Sequence, residues 1–260
     1  MPIRYIKHKR KKYTVDEVLK EGKLERFFPL SYIVQAIDER NWEGTPSVTQ
    51  CLNGTREEFL KLTTDYDVKL EDRVWAIFGT AGHAILEQGA EKLNLSSEVR
   101  LHGRGVSGQR DLVEPYDGYH RIVDYKFIAS YKAKTLDDPV TSESAWFDYT
   151  MQLNMYRILA QETPDHPELH PDEPCWLYGI IRDGGTLGAR LNQINYKTFF
   201  KPVANFPNKD VIDYFEAKRD ALTKAMKTNI IPSKCTTHET WDGKKCSKYC
   251  SVKKECFKHE

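Results

Sequence analysis

The stretch Gly108–Lys126, GQRDLVEPYDGYHRIVDYK, narrows the fold more than any other part of the chain. Asp117-Gly118 lies between two strand-like runs and matches a two-residue type I′ hairpin loop, which needs φ > 0 at both positions. That loop pairs Tyr116 with Tyr119, and counting outward in the same register sets Asp111 opposite Asp124. Directly opposed side chains share a face, with Cβ atoms roughly 4.5–5.5 Å apart. The period of two adds Gln109 and Lys126 to that face. Two carboxylates so placed repel unless a cation lies between them or one is protonated. Alone, these residues also suit a charged hairpin face turned to solvent. Ile122, Val123, Phe127 and Ile128 argue otherwise, because an acid-x-lysine inside an apolar strand needs a reason to be there.

The remaining chain supplies helices around this hairpin. Thr14-Val-Asp-Glu17 reads as a capping box opening a helix toward Arg26. Leu52, Phe59, Leu60 and Leu62 follow helical spacing, interrupted at Asn53-Gly54. A stronger helix is predicted over Arg73–Lys92, burying Trp75, Ile77, Phe78, Ala81, Ile85 and Leu86 and projecting His83 and Glu87 at i, i+4. Val99–Glu114 reads as a strand or pair of strands, Lys132–Ser142 as a loop and Trp146–Gln161 as a helix. Cys175–Arg182 and Arg190–Phe199 read as two further strands, and Asp210–Thr228 as a long amphipathic helix. This order predicts an α/β or α+β domain, a small sheet flanked by helices. The expected division is an N-terminal helical arm (1–46), a core (47–231) and a Cys-rich tail packed on it (232–260).

At 260 residues, 40% hydrophobic and 30% charged, the chain has an ordinary globular composition. No apolar run approaches the ~20 residues of a membrane span, and no signal-peptide core opens the chain, so a cytoplasmic protein is expected. A net charge of +1 identifies no partner. The run Lys7-His8-Lys9-Arg10-Lys11-Lys12 suits a solvated basic arm or a phosphate contact equally.

Four segments come in order: GTAGHAILE (Gly79–Glu87), GQRD (Gly108–Asp111), VDYK (Val123–Lys126) and QLNMY (Gln152–Tyr156). Together they resemble the RecB-like branch of the PD-(D/E)XK nuclease superfamily, which also holds CRISPR-adaptation exonucleases and AddB-type nuclease domains. That branch's G-x-x-x-H-x-x-x-E, G-x-x-D, acid-x-Lys and Q-x-x-x-Y are all filled here, over roughly the central third of the chain. The resemblance implies a restriction-endonuclease-like core with a small mixed sheet. It also implies a metal-dependent DNA nuclease, expected to be an exonuclease, that hydrolyses phosphodiester bonds with water activated by Mg²⁺ or Mn²⁺. In that reading Asp111, Asp124 and His83 are metal ligands. Lys126 orients or deprotonates the attacking water, and Glu87 steadies His83 or a metal-bound water. Gln152, Tyr156 and Arg110 contact DNA. Oxygen ligands suit a hard cation such as Mg²⁺. A non-catalytic DNA-binding subunit, or a restriction-type endonuclease of the same fold, is the alternative.

The tail carries Cys235, Cys246, Cys250 and Cys256 in the spacing C-x10-C-x3-C-x5-C. In a segment poor in apolar residues, clustered thiols point to metal. The resembling branch often binds a [4Fe–4S] cluster through three C-terminal cysteines, spaced about C-x2-C-x5-C, and one N-terminal cysteine. Here the N-terminal position, judged from GTREEFL, holds Gly54 or Asn53. Cys235 is therefore the expected fourth ligand and Cys51 the fallback, with [4Fe–4S] favoured on resemblance and Zn²⁺ as the alternative. His238 and His259 are read as bystanders.

Overall fold

Thr14 accepts the Glu17 backbone N–H, and the Glu17 carboxylate takes the Thr14 N–H, so the capping box forms. The helix it opens stops at Glu21, short of Arg26, because Gly22 adopts φ 66° and sends its N–H back to the Glu17 carbonyl. The computed structural model of the chain describes residues 3–39, 42–138 and 142–259. Along the chain lie β1 (Ile3–His8), β2 (Lys11–Thr14), α1 (Val15–Glu21), α2 (Leu30–Ile37), α3 (Val48–Leu52), α4 (Thr55–Thr63), β3 (Tyr66–Lys69) and α5 (Val74–Lys92). Next come β4 (Ser96–Gly103), β5 (Val106–Tyr116), β6 (Tyr119–Ile128), α6 (Ser130–Asp137) and α7 (Ser142–Glu162). The chain closes with β7 (Trp176–Ile181), α8 (Leu187–Leu191), β8 (Thr198–Pro202), α9 (Asn208–Thr228), α10 (Lys244–Lys248) and α11 (Lys253–Phe257).

Two mixed sheets organise these elements. The larger runs β4-β5-β6-β7-β8, with β6 and β7 parallel and the other neighbours antiparallel. The smaller runs β2-β1-β3, with β1 and β3 parallel. The chain divides into two compact units: residues 1–46, 53–80 and 218–260, and residues 47–52 and 81–217. The first unit buries Ile6, Val18, Ile33, Leu60 and Leu70 around the small sheet. The second buries Leu101, Val113, Ile122, Leu153, Leu159 and Phe215. This cut puts residues 1–46 and 218–260, which the expected division keeps apart, in one unit and has no break at 231. No described helix is long and apolar enough to cross a membrane.

Several expectations change. The N-terminal segment is not a helical arm, because the lysine run folds back as a hairpin pairing Lys7 with Lys12. The expected loop from Lys132 is mostly α6, and residues 139–141 lie outside the described set. Asp183 accepts the Ser130 backbone N–H and hydroxyl at the start of α6, while Ala133 and Leu136 pack with Ile128 and Ile181. The expected strand Arg190–Phe199 splits, because Thr186 caps the short α8 before β8 begins. Trp75, Phe78 and Ile85 are exposed, not buried. Helical spacing identifies α5 correctly, but the helix buries small Ala90, packed with Leu112 and Val123, and leaves Ile77 and Leu86 only half-buried.

Candidate active site

The β5–β6 turn forms with Asp117 at φ 47° and Gly118 at φ 78°. Its ladder runs from Tyr116–Tyr119 to Leu112–Val123, and the next step sets Asp111 opposite Asp124. There the ladder yields to the side chain, for the Tyr125 N–H donates to Asp111 Oδ2 at 2.6 Å. A second two-residue turn, Arg104-Gly105 with φ 49° and 69°, joins β4 to β5. Its register pairs Ser97 with Leu112 and Val99 with Arg110, so Glu98 lies opposite Asp111. One rung of the sheet therefore carries an acid on each of three adjacent strands.

His83 reaches this row from α5. Its Nδ1 is 3.3 Å from Glu98 Oε1 and 3.5 Å from Asp111 Oδ1. One ligand atom from each of His83, Glu98 and Asp111 lies within 4.8 Å of the other two. Glu87, one turn further along α5, is half-buried and stands outside this group. The residue beside His83 is thus Glu98, which the four motifs do not contain. The Arg104-Gly105 loop is the sequence signal that could have found it, by the same outward counting applied to the other hairpin.

Asp124 is 1% exposed, with both its carboxylate oxygens buried. The Lys126 ammonium makes an ion-pair contact with it. Burial, then the negative charge of Asp124, pushes the Asp111 carboxyl up to about 7. Burial opposes the charge on Lys126, but Asp124 and Asp111 outweigh it and hold the ammonium above its ordinary range. The Glu98 hydrogen bond lifts the His83 imidazole against the effect of burial, with Asp111 adding to the lift. Three carboxylates share one ammonium and one imidazole, and this excess of buried negative charge fits a divalent cation.

Helix α7 supports the site from behind. Tyr156 is buried, and Gln152 Nε2 donates to its hydroxyl at 2.8 Å. A Cβ on Gly108 would stand 2.4 Å from the Tyr156 ring, so the glycine of GQRD and the tyrosine of QLNMY require each other. Burial, with help from Asp124, pushes the Tyr156 hydroxyl up to about 12. Arg110 corrects an expectation. Neighbouring strand residues point to opposite faces, and Arg110 is 1% exposed, donating to the Ser96 carbonyl at 2.9 Å and to His166 Nε2 at 3.1 Å. Its guanidinium braces the sheet and is not presented to a ligand.

In the first unit, Cys235, Cys246, Cys250 and Cys256 line one cavity of about 30 Å³ with Glu57, Glu239 and Lys245. Cys235 Sγ fills the space a side chain at position 54 would need, since a Cβ on Gly54 would lie 2.2 Å from it. Burial raises both the Cys235 and Cys250 thiols, that of Cys250 to about 11. Cys51, the fallback ligand, is packed in the second unit's core with Val48 and Met155.

Residues 56–257 match the family model of the PD-(D/E)XK nuclease superfamily. Among solved structures, the crystal structure of SSO0001 matches with a TM-score of 0.45 at 17% identity, over 92% of this chain and 93% of that one. No curated protein matches.

Proposed function

Because this chain belongs to the PD-(D/E)XK nuclease superfamily, we propose that it is a divalent-cation-dependent deoxyribonuclease of the RecB-like branch, acting as an exonuclease. The observation that carries the reading is the buried Asp111–Asp124 pair with Lys126 and His83 beside it. Asp111, Asp124 and His83 would hold Mg²⁺ or Mn²⁺. When bound, such a cation supplies Lewis-acid polarisation of a phosphoryl oxygen and lowers the pKa of a coordinated water. Lys126 is kept charged by its two acidic neighbours, so it orients the attacking water and offsets charge on the phosphate. Tyr156 and Gln152 fix the floor behind Asp124. The half-buried Gln152 is the member of that pair that would meet the DNA strand.

The four tail thiols form a second metal site in this reading. A [4Fe–4S] cluster is the occupant favoured by resemblance, whereas a cavity of about 30 Å³ suits a single ion such as Zn²⁺. Iron, sulfide and zinc analysis of purified protein decides between them. The nuclease reading is tested with end-labelled single- and double-stranded oligonucleotides and circular DNA, in Mg²⁺, Mn²⁺ or EDTA. Progressive loss from free ends in divalent ions, abolished in folded Lys126→Ala and Asp111→Ala proteins, is expected. Digestion in EDTA, or by both variants at the parental rate, overturns it. Discrete fragments from circular DNA would move the assignment to an endonuclease.

A further inference from the structure

We propose that Glu98 is itself a ligand of the catalytic cation, a third carboxylate beside Asp111 and Asp124. The proposal rests on reading His83, Asp111 and Asp124 as the cation's ligands. Glu98 departs from the backbone around it. Within β4 it adopts φ 49°, a left-handed conformation that a residue with a side chain rarely takes. It sits opposite Asp111 in the β4–β5 register, with its carboxylate beside His83.

The distances lie within about half an ångström of those between neighbouring ligands of one ion. His83 Nδ1 lies 3.3 Å from Glu98 and 3.5 Å from Asp111, beyond the usual 2.7–3.2 Å of an N–H···O bond. Adjacent ligands of an octahedral ion with bonds of 2.0–2.1 Å stand about 3.0 Å apart. The second Glu98 oxygen is held from outside by Gln109 Nε2 at 2.6 Å, and Gln109 Oε1 accepts from Arg100 at 2.6 Å. Outer hydrogen bonds of this kind orient ligating carboxylates. Asp124, 1% exposed, has the Lys126 ammonium against it, and that one lysine faces all three carboxylates. Counting Glu98, Asp111 and Asp124 against Lys126, with His83 neutral, the cluster carries −2, the charge one divalent cation cancels.

The test measures Mn²⁺ binding to the full chain by calorimetry and by the EPR signal of free Mn²⁺. Glu98→Gln is expected to weaken binding about 10–100-fold, with Glu91→Gln, exposed on α5, unchanged. Glu98→Gly is a second variant that keeps the left-handed backbone at ease, so its fold is not at risk, and it should lose affinity equally. In a His83→Ala background Glu98→Gln should weaken Mn²⁺ further. If it does not, Glu98 acts only through His83 and the proposal fails. Parental Mn²⁺ affinity in both Glu98 variants, with binding lost in Asp111→Asn, overturns the Glu98 assignment and leaves the active-site reading intact. A parent protein that binds no Mn²⁺ overturns both.

Discussion

Glu57 and Glu58 are each 5% exposed and Asp111 is 7% exposed, so the chain buries carboxylates to a similar depth in both its units. Their surroundings differ. Lys61 stands 2.8 Å from Glu57 and 3.0 Å from Glu58, Lys245 is 2.5 Å from Glu57, and the Asn53 amide donates to Glu58 at 2.9 Å. Burial lifts the Glu57 carboxyl, but these lysines outweigh it and hold it below its ordinary range. Around Asp111 the balance reverses, because Lys126 serves a whole row of acids and the carboxyl rises to about 7. Buried acids with a full set of cations hold a structure together. Acids left short of positive charge mark where something else binds.

That contrast can be broken at either end. The largest effect is expected in catalysis: Lys126→Ala or Asp124→Asn should lower divalent-dependent DNA cleavage by roughly 10²–10³-fold or more. Lys61→Met should leave cleavage by folded protein unchanged, measured with labelled oligonucleotides. In stability the order inverts. Lys61→Met takes a lysine from two buried carboxylates, leaving Lys245 on Glu57 and the Asn53 amide on Glu58, and should cost about 3 kcal/mol, a melting-temperature loss of roughly 6–12 °C by calorimetry.

Asp111→Asn should do the opposite in EDTA. A carboxyl whose folded pKa stands near 7, against 3.8 as its reference value, binds its proton more tightly in the native state. Its ionisation therefore removes stability as pH rises through that window, and the full cost is present above pH ~7. The variant should melt roughly 4 °C or more above the parent at pH 8 and level with it near pH 4, and Mn²⁺ should reverse the ranking at pH 8. A parent equally stable at both pH values would remove the contrast. The smallest effect belongs to the N-terminal cap: Thr14→Ala breaks the capping box and should cost about 1 kcal/mol by denaturant titration, leaving Mn²⁺ binding untouched.

The hairpin core of the second unit is legible because its signals are local. Asp117-Gly118 dictates a turn, the turn dictates register, and register places Asp111 against Asp124. Helices α5, α7 and α9 are legible from periodicity for the same reason. Which side of a helix is covered depends on partners distant in sequence, and so the exposure of Trp75 and Ile85 is not foreseen. Arg110 is misread through type alone, since a cation next to a candidate site acid suggests DNA until strand alternation turns it inward. Glu98 hides for a different reason. It belongs to no motif, and only counting from the neighbouring turn exposes it.

The two hairpin tips at Arg104-Gly105 and Asp117-Gly118 are exposed to solvent. Surface loops ordinarily tolerate added residues, and sequence drift collects in them. Here one extra residue in either tip slips a strand by a single position and rotates Glu98 or Asp124 to the far side of the sheet. These two peripheral, solvent-washed corners are therefore among the least extensible points of the chain, their length dictated by chemistry at the far end of the strands they join.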